Sequence, residues 1–279
     1  MKKFLAVFDG YKMSKSTLDY AIQLTQTAHA SLVGVFLVEF IYRSYSAYKV
    51  MTTYKDYDKL IKEFDEKDKK KRDAAALQFQ KACEKSKITF SVHRNKSIAL
   101  KELKHESMFA DLIIINEYET FTKYKEKPPT RFMKDLLGDV QCPVMVVPND
   151  FKPVDKIVLL YDGGPSALYA VKMFSYLFGN FQDLPVEVYS VNDRMGNLRL
   201  PDNKLMKEFI KSHFPRATYT VVKGNAEEQI LGYLRNRKEN ELVVLGAYRR
   251  SELSRWFKIS MADTLIKELD TPLFIAHNK

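Results

Sequence analysis

The sequence predicts an α/β fold made of two tandem, doubly wound domains, each built on a five-stranded parallel sheet. Three observations carry this prediction. The strand-like segments are short continuous apolar runs, the form taken by strands buried on both faces of a parallel sheet. Helical patterns separate them, and strands that alternate with helices wind a sheet covered on both sides by right-handed crossovers. The whole pattern then occurs twice, since Lys3-Phe4-Leu5-Ala6-Val7-Phe8-Asp9-Gly10 has its counterpart in Lys156-Ile157-Val158-Leu159-Leu160-Tyr161-Asp162-Gly163.

In the first copy, the opening run ends on Asp9-Gly10, and Leu18, Ala21, Ile22, Thr25 and Ala28 follow at helical spacing behind candidate caps Ser14 and Ser16. Val35-Phe36-Leu37-Val38 is the second run, and Val188-Tyr189-Ser190-Val191 matches it at the same separation as the first pair. An insertion at about 42–72 comes next, with Tyr42, Tyr45, Tyr48, Tyr54 and Tyr57 leading into a long charged helix through about Cys83. The tyrosines either line a surface for a ligand or partner or form a lid with their hydroxyls in water. Asp111-Leu112-Ile113-Ile114-Ile115-Asn116 pairs with Glu241-Leu242-Val243-Val244-Leu245-Gly246, and Cys142-Pro143-Val144-Met145-Val146-Val147 with Thr271-Pro272-Leu273-Phe274-Ile275-Ala276. In the second copy, Asn225 precedes an acidic first helical turn, and Ser254, Phe257, Met261, Leu265 and Leu269 recur as a helix after the fourth strand. The domains are expected at 1–150 and 154–279, joined by Pro148-Asn149-Asp150-Phe151-Lys152-Pro153.

Composition narrows the function classes. With 46% hydrophobic residues and only 10 Gly and 10 Pro in 279, collagen-like and wholly disordered readings fail. No apolar run approaches the roughly 18 residues of a membrane span, and the N-terminal run meets Asp9 too soon for a signal-peptide core, so a cytoplasmic protein is expected. Cys83 and Cys142 are isolated and the five histidines are scattered, so neither a disulfide framework nor a metal site is expected. The net charge of +10 raises nucleic-acid binding, but the densest block, Lys67-Asp68-Lys69-Lys70-Lys71-Arg72-Asp73, is interleaved with acids and reads as a solvated helix face.

Ligands of open α/β sheets bind beyond the carboxyl ends of the strands. Asp9 and Asp162 each end a first strand, where a carboxylate can accept from a ribose hydroxyl or cap the following turn. After the fourth strand, the second copy reads Gly246-Ala247-Tyr248-Arg249-Arg250-Ser251, a glycine and two arginines suited to phosphate. The first copy reads Asn116-Glu117-Tyr118-Glu119 there, and two carboxylates would repel the same anion.

These strand ends, the two Asp/Glu-Leu fourth strands and the two Pro-led last strands, repeated in order, resemble the universal stress protein family in its tandem two-domain form, over nearly the whole chain. The resemblance implies an adenine nucleotide alpha hydrolase-like, Rossmann-like fold. ATP-binding members carry Gly, two residues, Gly, nine residues, Gly and then Ser or Thr after the fourth strand. On the second copy this motif falls on Gly246 and Ser260, with Arg249 and Ile259 at the other two glycine positions. Asp162 and Val191 match the ribose and base positions, and Tyr161, Tyr248 and Met261 beside them complete the candidate set. In the first copy, Asp9 and Val38 match, but Asn116 replaces the first glycine and the motif ends near Thr130 and Arg131, so that site reads as degenerate.

The implied function is a non-catalytic stress-response protein that senses ATP or another adenine nucleotide through its second domain, or serves as a partner platform. A requirement for Mg²⁺ stays open. The alternatives are a slow ATPase or phosphotransferase, for which no Gly-x-x-x-x-Gly-Lys-Ser/Thr loop is present, and a basic nucleic-acid binder, for which no reading motif is present. Family dimers pair through their last strands, so residues 143–148 and 272–277 are expected to form an intramolecular pseudo-dimer, and a homodimer is the further assembly this implies.

Overall fold

A computed structural model describes residues 1–11, 13–39, 47–54, 56–192, 198–236, 239–246, 260–276 and 278. The first repeat runs β1 (Lys3–Asp9), α1 (Lys15–Ala28), β2 (Ser31–Glu39), α2 (Ala47–Thr53), α3 (Tyr57–Lys85), β3 (Phe90–Ser97), α4 (Ala99–Ser107), β4 (Leu112–Asn116), α5 (Arg131–Asp139) and β5 (Val144–Val147). The second runs β6 (Lys156–Leu160), α6 (Pro165–Phe178), β7 (Val186–Asn192), α7 (Asn203–His213), β8 (Thr218–Lys223), α8 (Ala226–Arg235), β9 (Glu241–Gly246), α9 (Met261–Glu268) and β10 (Leu273–Ala276).

The two five-stranded sheets are one. Ten strands lie in the order β3-β2-β1-β4-β5-β10-β9-β6-β7-β8, the second half mirroring the first. Among the described residues, every pairing is parallel except β5 with β10, where Val144, Met145 and Val146 face Ile275, Phe274 and Leu273 in antiparallel register. The central strands β1, β4, β5, β6, β9 and β10 are apolar on both faces and almost fully buried, as continuous runs require.

Local chemistry explains the elements. Ser14 is the α1 cap, its hydroxyl accepting the Thr17 amide at 3.1 Å. Asn225 caps α8 in the same way through the Glu228 amide. The acids that open the fourth strands tie down the lower edge of the sheet. Asp111 accepts the Lys3 amide at 2.7 Å, and Glu241 lies 3.7 Å from Lys156, which opens β6.

The extra chain of the first repeat consists largely of α2 and the N-terminal half of α3. The C-terminal half of α3 buries Ala75, Ala76, Phe79 and Cys83 and serves as the crossover helix, the role Met206 and Ile210 give α7 in the second repeat. Phe79 packs into space that exists because residue 34 is glycine, since a β-carbon there would lie 2.8 Å from the ring. The charge block is mostly exposed, yet Asp68 is buried and Arg72 turns inward. Tyr54 and Tyr57 are exposed, whereas Tyr42, Tyr45 and the side chain of Tyr48 lie outside the described residues.

The linker is stitched in place. The Phe151 ring meets Tyr20 edge-on at 4.8 Å, the Lys152 amide donates to the Tyr20 hydroxyl, and Asn240 donates to the carbonyls of Lys152 and Pro153. Both cysteines are buried free thiols, pushed up to about 12 by desolvation and, secondarily, by Glu84 for Cys83 and Asp111 for Cys142. Among the described residues, no helix is long and apolar enough to cross a membrane and no cluster of three metal-binding side chains occurs.

Candidate functional site

In the second repeat, the carboxyl ends of β6, β7 and β9 surround a pocket of about 130 Å³. Of the candidates expected there, Tyr161, Asp162, Val191, Gly246 and Met261 line it together. Ser260 caps α9, but its side chain makes no capping hydrogen bond. Tyr248, Arg249 and Ile259 lie outside the described residues, as do Ser254 and Phe257, and within them α9 begins at Met261.

Asp162, Tyr161 and Gly246 also have structural tasks. The exposed Asp162 accepts the Gly164 amide at 2.7 Å and so shapes its own turn. Tyr161 is 4% exposed, its hydroxyl 3.5 Å from Asp202, and burial followed by the Asp202 charge raises its pKa. Gly246 has no room for a side chain, since a β-carbon would fall 2.3 Å from the Ser166 carbonyl carbon at the start of α6. Sequence reasoning missed Tyr189 and Ile230, which complete the apolar wall. Tyr189 alternates with Val188 on β7, so its inward side was legible from strand period; Ile230 needed the placement of α8.

The first repeat holds a different cleft, of about 640 Å³. Asp9, buried at the end of β1, accepts the Tyr11 amide at 2.9 Å, the same turn geometry as Asp162. Tyr11 is in turn held by α3, the Arg72 guanidinium donating to its hydroxyl at 2.7 Å and lying over its ring at 5.3 Å. Asn116 lines the cleft with its oxygen on the Tyr118 amide. Of Val38 the structure describes the strand position alone.

The expectation that Glu117 and Glu119 jointly repel anions is corrected. Glu117 is 3% exposed, does not line the cleft, and is pushed up to about 8 by burial and by Asp270. Glu119 does line it, and desolvation with the Asp9 charge pushes it up to about 8 against three amide donors, those of Phe121, Thr120 and Asp9. In both, desolvation is the larger cause and a neighbouring like charge the second, Asp270 for Glu117 and Asp9 for Glu119. The loop that bears Glu119 is fixed by Thr130, whose hydroxyl donates to the Glu119 carbonyl at 2.7 Å and accepts the Met133 amide. Phe121, buried against Phe132 at a ring distance of 4.5 Å, anchors it further. Thr130 is thus committed to the loop at the position where the second repeat has Ser260.

No protein-family model matches the sequence, and no curated protein does. Solved structures do. A universal stress protein from Archaeoglobus fulgidus DSM 4304 superposes with a TM-score of 0.69 at 16% identity, covering 99% of this chain and 98% of that one. A functionally unknown protein from Pseudomonas aeruginosa PAO1 superposes with a TM-score of 0.58 at 13% identity, over 99% of this chain and 92% of that one. At such identities the likeness reports backbone architecture, and it extends through both repeats: along its whole length, this chain has the fold of a universal stress protein.

Proposed function

We propose that the chain is a tandem stress-response protein of the universal stress protein type, with domains at 1–150 and 154–279, in which the second domain binds an adenine nucleotide and the pair acts as a non-catalytic platform. The observation that carries this reading is the convergence of Tyr161, Asp162, Val191, Gly246 and Met261 on one pocket at the carboxyl ends of three strands. Tyr189, Val191, Ile230 and Leu245 supply apolar walls for a base, and the exposed Asp162 an acceptor for ribose hydroxyls. The start of α9, where the Ser260 side chain makes no capping hydrogen bond, offers donors for phosphate, and Arg249, outside the described residues, is the candidate bidentate partner. The β5–β10 ladder supports reading the chain as a built-in dimer.

Native mass spectrometry of the purified chain tests the reading. One retained adenine nucleotide per chain, or its capture on adding ATP with or without Mg²⁺, is the expected result. No adduct in the wild type and none in Arg249→Gly, with no shift of Tm by ATP in either, would leave the platform role without the nucleotide.

A further inference from the structure

Helix α3 is held to the body of the protein in two different ways along its length. Its C-terminal half is anchored by Ala75, Ala76, Phe79 and Cys83, with the Phe79 ring against Phe8, Phe36 and Phe90. Over residues 57–72 the one fully buried side chain is an acid, Asp68, while Leu60, Ile61 and Phe64 are half-buried. This polar half is about 24 Å of helix at the usual rise of about 1.5 Å per residue. Asp73, paired with Arg94 of β3 at 2.7 Å, marks the boundary between the two.

A polar catch fastens the first half. The Arg72 guanidinium donates to the Tyr11 hydroxyl at 2.7 Å and lies 5.3 Å from the centre of its ring. Burial raises that hydroxyl above its ordinary pKa, and Arg72, Asp68 and Asp9 are the charges that act on it, so all four groups meet at one place. The Tyr11 amide donates to Asp9, so the catch closes on the end of β1. Asp9 and Asp162 shape the same turn, yet Asp9 is 3% exposed and Asp162 is exposed. The second repeat has Gly164 where the first has Tyr11, and its crossover helix α7 has 11 residues against 29 in α3. We propose that residues 57–72, with α2 against them, are a cover over the end of β1, that the contact of Arg72 with Tyr11 is its catch, and that releasing the catch opens Asp9 to solvent and ligand while the C-terminal half of α3 stays packed.

The division follows from what each half would lose on opening. Segments that open locally are those with few buried apolar contacts. Lifting residues 57–72 breaks mainly polar contacts, which water largely replaces. Lifting the other half strips Phe79 from three aromatic rings and empties the space beside Gly34, where a β-carbon would lie 2.8 Å from the Phe79 ring. This inference does not rest on nucleotide binding by the second repeat.

Hydrogen exchange of the full chain, together with carbodiimide and glycine ethyl ester labelling of its carboxylates, both read by mass spectrometry, tests this. In the wild type, amides of residues 60–72 should exchange at least about a hundredfold faster than those of 79–85, and Asp9 should label about tenfold more slowly than Asp162. Arg72→Ala keeps a strong helix former at its position, so any loosening reports the lost catch. It should speed exchange over 60–72 by about ten- to a hundredfold, the worth of a hydrogen bond to a charged group, and raise Asp9 labelling several-fold. Amides of 79–85 and of β4 should stay as protected as in the wild type. Tyr11→Phe, which keeps the ring beside the guanidinium and loses the hydroxyl, should fall between the two. Equal protection along all of α3 in the wild type, loosening by Arg72→Ala that spreads equally to 79–85, or Asp9 labelling unmoved by Arg72→Ala would each overturn the proposal.

Discussion

Gly246 and Ser166 are in backbone contact: a β-carbon on the glycine would lie 2.3 Å from the Ser166 carbonyl carbon, because the first turn of α6 rests on the end of β9. The glycine thus has a packing role whether or not phosphate approaches it. Gly246→Ala should destabilise the nucleotide-free chain by about 1 to 3 kcal/mol, the usual range for overpacking. Calorimetry would show this as a lower Tm, by about 2 to 4 °C per kcal/mol at this size. An unchanged Tm together with lost ATP binding would mean that α6 yields easily and that the glycine serves the ligand.

The raised carboxyls give stability a definite pH sign. Glu117 and Glu119 ionise near 4.5 in the unfolded chain and at about 8 when folded, so between those values the native state holds more protons than the unfolded state. Their effect is absent below the unfolded value, and stability falls as pH rises from about 4.5 through 8, then levels. Each carboxyl contributes a slope of at most about 1.4 kcal/mol per pH unit. Urea melts of the Glu117→Gln, Glu119→Gln double variant should be flatter across this window than those of the wild type; equal slopes would mean both groups are ionised in the native chain.

The fold was legible because its signals are local and occur twice. The run from Phe4 to Phe8 reads as a doubly buried strand without any partner in view, and its echo at Ile157–Tyr161 sets the repeat. The candidate second-repeat pocket was legible for the same reason, since its residues lie at strand ends. The chemistry of the first cleft was not. Glu117 and Glu119 are two residues apart, yet one meets Asp270 of the other repeat and the other meets Asp9, and no spacing rule tells those environments apart. The inward turn of Asp68 and Arg72 was hidden for a similar reason, because a charge run reads as solvated until the loop bearing Tyr11 is placed beside it.

Lys156 is buried among acids at the lower edge of the second-repeat sheet. Its ammonium lies 2.5 Å from Glu187, 3.0 Å from the Tyr233 hydroxyl and 3.7 Å from Glu241. Thr220 and Tyr233 also donate to Glu187, so the acid is held from three sides. Lys156→Met removes the cation and leaves two buried carboxylates facing each other, at a cost of about 3 to 5 kcal/mol. Adding Glu187→Gln should recover part of that loss, and a double-mutant cycle with no coupling would show the pair to be independent.

Nucleotide binding should separate the two strand-end aspartates. If the second repeat holds the ligand, Asp162→Ala loses a charged acceptor worth about 1.5 to 3 kcal/mol, a weakening of roughly ten- to a hundredfold. Asp9→Ala, in the other repeat, should leave the same titration nearly unchanged. Arg249→Gly then distinguishes a phosphate ligand, whose loss weakens binding, from an obstruction, whose removal tightens it. Equal sensitivity to both aspartate changes would place the nucleotide in both repeats or in neither.

The β5–β10 ladder should hold the halves together without the covalent linker. Met145 and Phe274 face each other at its centre, both fully buried, and Phe274 packs edge-on against Phe174 and Phe178 at 5.3 and 6.3 Å. Phe178 reaches Phe4 of the first repeat at 5.8 Å, so the aromatic cluster runs through the junction and not only up to it. Separating the halves would expose this surface and two apolar strand edges, each a template for aggregation. A protease site inserted between Asp150 and Phe151 would cut the chain at its junction, and the two fragments should still co-elute at the mass of the intact protein in size-exclusion chromatography. Met145→Asp places a charge where Phe274 sits and should make the cut fragments separate or precipitate, while the uncut variant loses several degrees in Tm. If the wild-type fragments part on cutting, the linker contacts of Phe151 with Tyr20 and of Asn240 with the Lys152 and Pro153 carbonyls carry the association, and the ladder merely follows from it.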